Sequence, residues 1–209
     1  MKNLYVLLAC LLTWSLQAQH ESIFDDIDFI GGFGGPLIEV GSINGEIGAD
    51  VGGGGALILN NYFLGGYGMG TDYPEFEINE GELFGNYEID FGHGGLWFGY
   101  THKQDKLVHL FLSTKVGWGS ARLEGLDQQE QRFRDRVFVL TPEVGIEFNV
   151  TRFFKIGLTG GYRWVNGISV LPTLNNSDFN SPVGIINFRF GGFGDYEDWD
   201  DDDDDDNWW

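Results

Sequence analysis

The chain has 209 residues, a formal net charge of −20 and 33 glycines. This length allows one domain with a tail, and the acidic balance excludes the basic surface that nucleic-acid binding needs. Ten of the acidic residues, with no basic residue among them, lie after position 194, so half of the net charge belongs to the C-terminal tail. The glycine run at 52–55 lacks the Gly-Lys-Ser/Thr sequence and the following helix of a phosphate-binding loop, so we expect no nucleotide site there. We expect no cofactor.

The N-terminus has the pattern of a secretory signal peptide. Lys2 supplies the positive charge, Leu4–Leu12 is the apolar run, and Ala18 is a small residue before the expected cleavage point. Because the apolar run is too short to cross a membrane as a helix, we predict a signal peptide over residues 1–18 that is removed. An acidic lead over residues 19–28 follows it.

Two-residue alternation of apolar and polar side chains identifies the strands, because successive side chains of a strand point to opposite faces. The alternation is clearest from Val108 to Trp118, where the intervening residues include His109, Ser113 and Lys115. We predict eight strands at about 29–42, 46–59, 62–71, 86–100, 107–121, 136–149, 153–165 and 182–193.

The connections between these strands alternate in length. Those after strands two, four and six are short, and those after strands three, five and seven are long, at 72–85, 122–135 and 166–181. Outer-membrane barrels have short periplasmic turns and longer external loops. No later segment is apolar for long enough to be a transmembrane helix, and an open sheet edge would leave backbone groups unpaired in lipid. The sequence therefore predicts an all-β fold, an eight-stranded antiparallel up-and-down transmembrane barrel over residues 29–194, with both termini periplasmic.

These features together resemble a known family. The signal ending Leu-Gln-Ala-Gln at 16–19, the eight alternating strands and the run Gly-Gly-Tyr-Arg-Trp at 160–164 are similar to the small outer-membrane β-barrel proteins of Gram-negative bacteria, particularly those of Bacteroidetes. The resemblance covers about residues 24–194 and implies an outer-membrane location. It implies no single activity, because such barrels include attachment proteins, narrow channels for small solutes and enzymes that modify lipid A.

The polar rows of the strands are expected to face the inside of the barrel. An eight-stranded barrel is only wide enough for side chains to fill it, and buried charges are tolerated when they are paired and hydrogen-bonded. We therefore predict a charge-paired, largely closed lumen, and the alternative is a narrow path for ions or small solutes. In the fourth strand this assignment places the acids inside and the row Tyr87, Ile89 and Phe91 outside. The predicted lumen charges are Glu39, Asp50, Glu88, Asp90, Lys115, Glu143, Glu147, Lys155, Arg163 and Arg189.

Three histidines are candidates for a hydrolytic site, in which a histidine acts with a serine and a carboxylate, as in lipid A-modifying enzymes. His102 and His109 fall at the periplasmic end of the predicted barrel, which is the wrong end for chemistry on surface lipid, and His93 lies in an irregular strand. No spacing typical of a nucleophile and its base is visible. We therefore predict a non-enzymatic protein with no catalytic or metal site.

The same alternation also fits a soluble, secreted barrel. In that alternative the apolar rows point inward and enclose a ligand, as in a lipocalin. The alternation of short and long connections favours the membrane-spanning version.

The C-terminal tail, residues 195–209, is acidic and of low complexity, which is typical of a disordered, solvated segment. Its alternative role is weak binding of divalent cations such as Ca²⁺, since carboxylates are suitable ligands for hard cations. The candidate ligands are Asp200, Asp201, Asp202, Asp203, Asp204, Asp205 and Asp206.

The long external connections are where we expect binding to reside, because loops on a rigid scaffold usually carry it. One of them holds Glu75, Glu77, Glu80 and Glu82, but no motif names a ligand. The sequence therefore predicts an outer-membrane protein with structural or interaction roles. Its expected partners are outer-membrane lipid and an unidentified extracellular ligand.

Overall fold

The computed structural model describes residues 29–72, 76–80, 83–125 and 132–194. The predicted signal peptide, the acidic lead and the acidic tail lie outside these residues, and so do the candidate cation ligands of the tail. Parts of the first two long connections also lie outside them.

The described part of the chain is almost entirely β-structure. A single short helix, α1 (Asn176–Phe179), lies between the last two strands. The strands are β1 (Phe29–Ile43), β2 (Glu46–Leu59), β3 (Tyr62–Asp72), β4 (Phe76–Glu80), β5 (Leu83–His102), β6 (Val108–Gly125), β7 (Arg132–Thr151), β8 (Phe154–Asn166) and β9 (Ser181–Gly192). Among the described residues, no helix is both long enough and apolar enough to cross a membrane.

Eight of these strands close into a barrel in which every neighbouring pair is antiparallel. The order is β3-β2-β1-β9-β8-β7-β6-β5, and β3 pairs with β5 to complete the ring. The first and last strands meet from Gly32 opposite Gly192 to Val40 opposite Gly184. The short strand β4 pairs only with the start of β5, from Phe76 opposite Tyr87 to Glu80 opposite Leu83. The predicted eight-stranded antiparallel barrel is therefore confirmed.

The two ends of the barrel differ in how the strands are joined. At one end the links are tight, such as Asn60–Asn61 between β2 and β3 and Arg152–Phe153 between β7 and β8, and this is the end where β1 starts and β9 stops. At the other end β5, β6 and β7 run further than predicted. The first link at that end is only Asn44–Gly45, whose φ angles of 52° and 84° suit a two-residue hairpin turn.

The outside of the barrel carries a continuous apolar belt. On β6 it runs from Val108 to Trp118, a distance of about 26 Å along the barrel axis for ten steps of roughly 3.4 Å in a strand tilted by about 40°. Outer-membrane barrels have an apolar band of about 25 Å. Exposed members of the belt include Leu57, Leu64, Leu96, Leu110, Val144, Ile146, Leu158 and Ile186.

Aromatic side chains border the belt at both ends. At the tight-turn end Tyr62 packs against Tyr100, with ring centroids 5.1 Å apart, and Phe154 stacks on Phe190. At the other end Trp118 packs against Phe138, with ring centroids 5.9 Å apart. Tyr162 and Trp164 of β8 also pack against each other. Two aromatic girdles around an apolar band are typical of a barrel that spans a membrane.

Beyond the Trp118–Phe138 girdle the outer face of the strands becomes charged and the inner face becomes apolar. Four charged side chains are exposed on the outer face there: Glu88, Asp90, Arg134 and Arg136. Arg122 also points outward and is partly exposed. The inward side chains at this height are apolar and buried: Tyr87, Ile89, Phe91, Ala121, Leu123, Val137 and Val139.

The prediction that Glu88 and Asp90 face the lumen is therefore wrong. Both carboxylates lie on the outer surface, while Tyr87, Ile89 and Phe91 are buried inside. The reason is that this part of β5 extends past the belt, where water rather than lipid contacts the outer surface. Charged side chains then belong outside and apolar ones inside.

Within the belt the polar rows point inward. Glu39, Lys115 and Arg163 are fully buried in the barrel, whereas the apolar rows of the same strands are exposed. The lipocalin-like alternative, with the apolar rows inside, is therefore wrong for the described part of the barrel. An exposed apolar surface of this extent needs lipid around it.

We predict that a lysine on the belt destabilises the protein according to its depth. Val144 lies opposite Leu112, near the middle of the belt, and Val108 lies at its edge. Val144→Lys should lower the free energy of unfolding in bilayers by about 2–4 kcal/mol, and Val108→Lys by about 0–1 kcal/mol. Urea titration in lipid vesicles measures both values, and equal losses would contradict the belt.

Candidate functional site

The candidate site is the lumen, whose side chains form three layers along the barrel axis. The layer nearest the tight turns is built around Arg189 of β9, which is buried among aromatic rings. Its guanidinium carbon lies 3.5 Å from the ring centroid of Phe33, 4.8 Å from that of Phe63 and 4.9 Å from that of Phe111. Such contacts stabilise a desolvated cation through the negative faces of the rings.

Glu147 of β7 is the anion of this layer. It accepts a hydrogen bond from the Arg189 guanidinium, and its Oε1 lies 3.0 Å from Nε2 of His109 and 3.7 Å from Nζ of Lys155. The Lys155 ammonium also lies 4.3 Å from the ring centroid of Phe193, just after the end of β9. One carboxylate therefore holds side chains from β6, β8 and β9 together.

The middle layer is centred on Lys115 of β6, which lies between two carboxylates. Its Nζ donates to Oε2 of Glu39 at 2.9 Å and lies 3.0 Å from Oε1 of Glu143. Thr159 donates a further hydrogen bond of 3.0 Å to Glu143. Both carboxylates and the ammonium are almost completely buried, so each must have partners to be tolerated.

Arg163 of β8 crosses the same layer towards β1 and β2. Its Nη1 lies 3.4 Å from Glu39 and also donates to Asp50, and Thr71 donates to Asp50 at 2.6 Å. Its remaining donors reach two backbone carbonyls, that of Ser42 at 2.9 Å and that of Phe179 at 3.2 Å. The guanidinium thus links β8 to β1, β2 and the helix α1.

Eight of the ten predicted lumen charges lie in these two layers, and the other two, Glu88 and Asp90, do not. The carboxylates Glu39, Asp50, Glu143 and Glu147 face the cations Lys115, Lys155, Arg163 and Arg189. With four charges of each sign, the buried set is neutral when all eight are ionised. This balance lets the charges fill the narrow interior without a net charge inside the belt.

The third layer closes the end opposite the tight turns, and the sequence did not predict it. The connection between β8 and β9, expected to be an exposed loop, folds into the barrel mouth. Its apolar side chains Ile168, Leu171, Leu174 and Phe179 are buried against the inward face of the extended strands. The rings of Phe179 and Phe91 lie 5.4 Å apart. The apolar residues of this predicted external loop, four of which are buried, were the signal in the sequence for this plug.

Asp135 of β7 fixes the plug from above the girdle. Its Oδ2 accepts the backbone N–H groups of Ser169 at 2.9 Å, Val170 at 2.7 Å and Leu171 at 2.9 Å. Burial by itself raises the pKa of the Asp135 carboxyl, but the three N–H donors outweigh this effect and hold the pKa below its usual value. The ionised carboxylate is therefore the form that orders the loop.

The three candidate histidines lie in separate surroundings. Nδ1 of His93 lies 3.0 Å from the Tyr67 hydroxyl, and His109 contacts Glu147 and the carbonyl of Lys106. His102 is exposed and lies beside the Tyr100 hydroxyl at 3.2 Å. Within the described residues, none of these hydrogen bonds joins a histidine to a serine or threonine, the contact that a hydrolytic triad uses.

Metal binding in the lumen also has no support among the described residues. No group of three or more histidine, cysteine, aspartate or glutamate side chains is placed to hold an ion in that part of the chain. The lumen carboxylates are instead directed at lysine and arginine side chains.

Known proteins resemble this chain in structure. No protein-family model matches the sequence, and no curated protein matches it. The structure of Neisserial surface protein A (NspA) matches with a TM-score of 0.52 and 12 % identity, over 78 % of this chain and 96 % of that chain. Ail, the attachment invasion locus protein of Yersinia pestis, matches with a TM-score of 0.46 and 14 % identity, over 77 % of this chain and 96 % of that chain. The match to NspA independently supports the eight-stranded barrel fold.

We predict that removing the central lysine is costly because it leaves Glu143 buried without a cation and Glu39 with Arg163 alone. Lys115→Met should lower the free energy of unfolding by about 3–5 kcal/mol, and adding Glu143→Gln should recover most of this loss, because Glu39 keeps Arg163 as its cation. Lys106→Met, in the exposed turn between β5 and β6, is the matched control and should change little. Urea titration in vesicles would contradict the pairing if Lys115→Met and Lys106→Met behaved alike.

We also predict that the order of the plug depends on the charge of Asp135. Because the folded-state pKa lies below the usual value, the stabilisation is complete above the usual pKa and is lost as the pH falls through the folded-state pKa. Asp135→Asn should therefore show, at neutral pH, the fast amide exchange at residues 169–171 that the unchanged protein shows only in acid. Hydrogen exchange read by mass spectrometry measures this, with Asp105→Asn as control, and unchanged exchange in Asp135→Asn would refute the anchor.

Proposed function

We propose that this chain is a non-enzymatic outer-membrane β-barrel protein of a Gram-negative bacterium, with a closed lumen and with structural or interaction roles at the cell surface. The observation that carries the proposal is the filled interior, in which a neutral set of eight paired charges lies beneath an apolar plug. A barrel of eight strands has no further space for an open channel once its side chains fill it.

The outer membrane is favoured as the location by the belt and by the fold. Closed barrels are the β-structures that can lie in lipid, since every backbone group is paired between strands. The structural neighbour NspA is, by its name, a surface protein. We further propose that the tight turns and both termini are periplasmic, because outer-membrane barrels have their short links on that side.

The surface roles would be carried by the part that rises above the girdle. There β5, β6 and β7 extend beyond the belt and carry exposed charges. Loops and strand ends on a rigid scaffold are the usual place for binding. The remaining expectations, an extracellular ligand for this part and weak binding of divalent cations by the acidic tail, belong to the same proposal.

We predict that the protein, recovered from the outer-membrane fraction in a heat-modifiable folded form, gives no stable stepwise conductance in planar bilayers. Replacing residues 168–179 by a short Gly-Ser link should leave it non-conducting, because the charged layers still fill the lumen. Stable steps from the unchanged protein would overturn the closed lumen in favour of a channel. Steps from the Gly-Ser variant alone would show that the plug, and not the charged layers, closes it.

A further inference from the structure

Three arginines stand on the outer surface of β6 and β7, directly above the aromatic girdle. Above the facing pair Trp118 and Phe138, the next outward pair is Ser120 with Arg136, and the pair after it is Arg122 with Arg134. Arg134 and Arg136 are exposed, and the Arg122 side chain is 40 % exposed. They form the basic patch, which lies in a chain whose net charge is −20.

The height of the basic patch matches that of lipid headgroups. Two residues along a strand advance about 6.8 Å, or roughly 5 Å along the barrel axis at a tilt of about 40°. Arg136 and Arg134 therefore lie about 5 Å and 10 Å above the girdle. The headgroup region adds roughly 5–8 Å on each side of the hydrocarbon core. Arg136 therefore lies within the headgroup region at this end of the barrel, and Arg134 lies just above it, where its long side chain can bend down to the lipid phosphates.

The patch carries more positive charge than its protein neighbours neutralise. Arg122 and Arg134 lie directly opposite each other, an arrangement of like charges that destabilises a strand pair. Asp90 pairs with Arg122, with Oδ2 3.0 Å from Nη1. Among the described residues, no ion pair or side-chain hydrogen bond partners Arg134 or Arg136, which leaves two positive charges for an external anion.

We propose that Arg134 and Arg136, with Arg122 beside them, bind the phosphate groups of a phosphorylated lipid in the outer leaflet. The guanidinium group matches a phosphate with two parallel hydrogen bonds. A lipid is favoured over a soluble anion because the belt lies directly below: acyl chains pack on Trp118 and Phe138 while the phosphates reach the arginines. The inference rests on the proposed outer-membrane location.

The site is confined to one arc of the barrel. On the neighbouring strand β5 the exposed side chains at this height are the carboxylates Glu88 and Asp90, and on β8 the outward residue opposite Phe138 is Asn166. Carboxylates repel phosphates, so lipid phosphates are directed to β6 and β7. One or two lipids, rather than a complete ring, are expected to be retained.

The test is a titration of the folded protein in detergent with diphosphorylated lipid A and with the same lipid lacking its phosphates, followed by native mass spectrometry. We expect the phosphorylated lipid to bind about tenfold more tightly or better, the effect of one or two charge-assisted hydrogen bonds. The double variant Arg134→Gln with Arg136→Gln should bind both lipids equally. Lys103→Gln with Arg152→Gln, in turns at the opposite end, is the matched control and should keep the preference.

The outcomes separate the two proposals. If the Arg134→Gln/Arg136→Gln variant keeps the preference while its heat-modifiable mobility shows it folded, the lipid site is overturned and the barrel assignment stands. If inorganic phosphate at millimolar concentration displaces the lipid completely, the patch is a site for soluble anions and the proposal is also overturned. If the unchanged protein fails to insert into vesicles in folded form, the outer-membrane function itself fails.

Discussion

The structure depends on one constraint: backbone N–H and C=O groups in hydrocarbon must all be paired within the protein. The pairing of β1 with β9 meets this requirement, since it removes the last free sheet edge. Closure with eight strands then fixes a narrow interior. Because the exterior within the belt must be apolar, the alternate side chains of each strand are the only ones free to be polar, and they all point into that interior.

The charged side chains of the belt strands therefore lie in the interior, where their charges must be neutralised. Four carboxylates and four cations achieve this, and Arg189 adds aromatic rings as further partners. Buried ion pairs are poor sources of net stability compared with apolar packing, but each becomes costly to break once it is formed. The lumen is thus better understood as a rigid filling than as a reactive or conducting site.

The sequence predicted the fold, the eight strands of the barrel and most of the lumen because alternation is a local signal, but it did not predict the short strand β4. From Val108 to Trp118 the alternation of apolar and polar residues shows directly which side chains share a face of the strand. The same signal failed at Glu88 and Asp90, since alternation separates two faces without telling which solvent lies outside. The plug was missed for a different reason. Its anchor joins Asp135 to Val170, 35 residues away in the chain. Contacts between such distant residues produce no periodic pattern in the sequence.

The middle ion layer has a consequence for how the protein assembles. Arg163 meets Glu39 and Asp50 across separations of 124 and 113 residues, and Lys115 meets Glu39 across 76. None of these partners is adjacent until the ring of strands is complete. An unclosed sheet would therefore carry bare charges into hydrocarbon, at a prohibitive energy. These contacts therefore favour insertion that is coupled to completion of the ring.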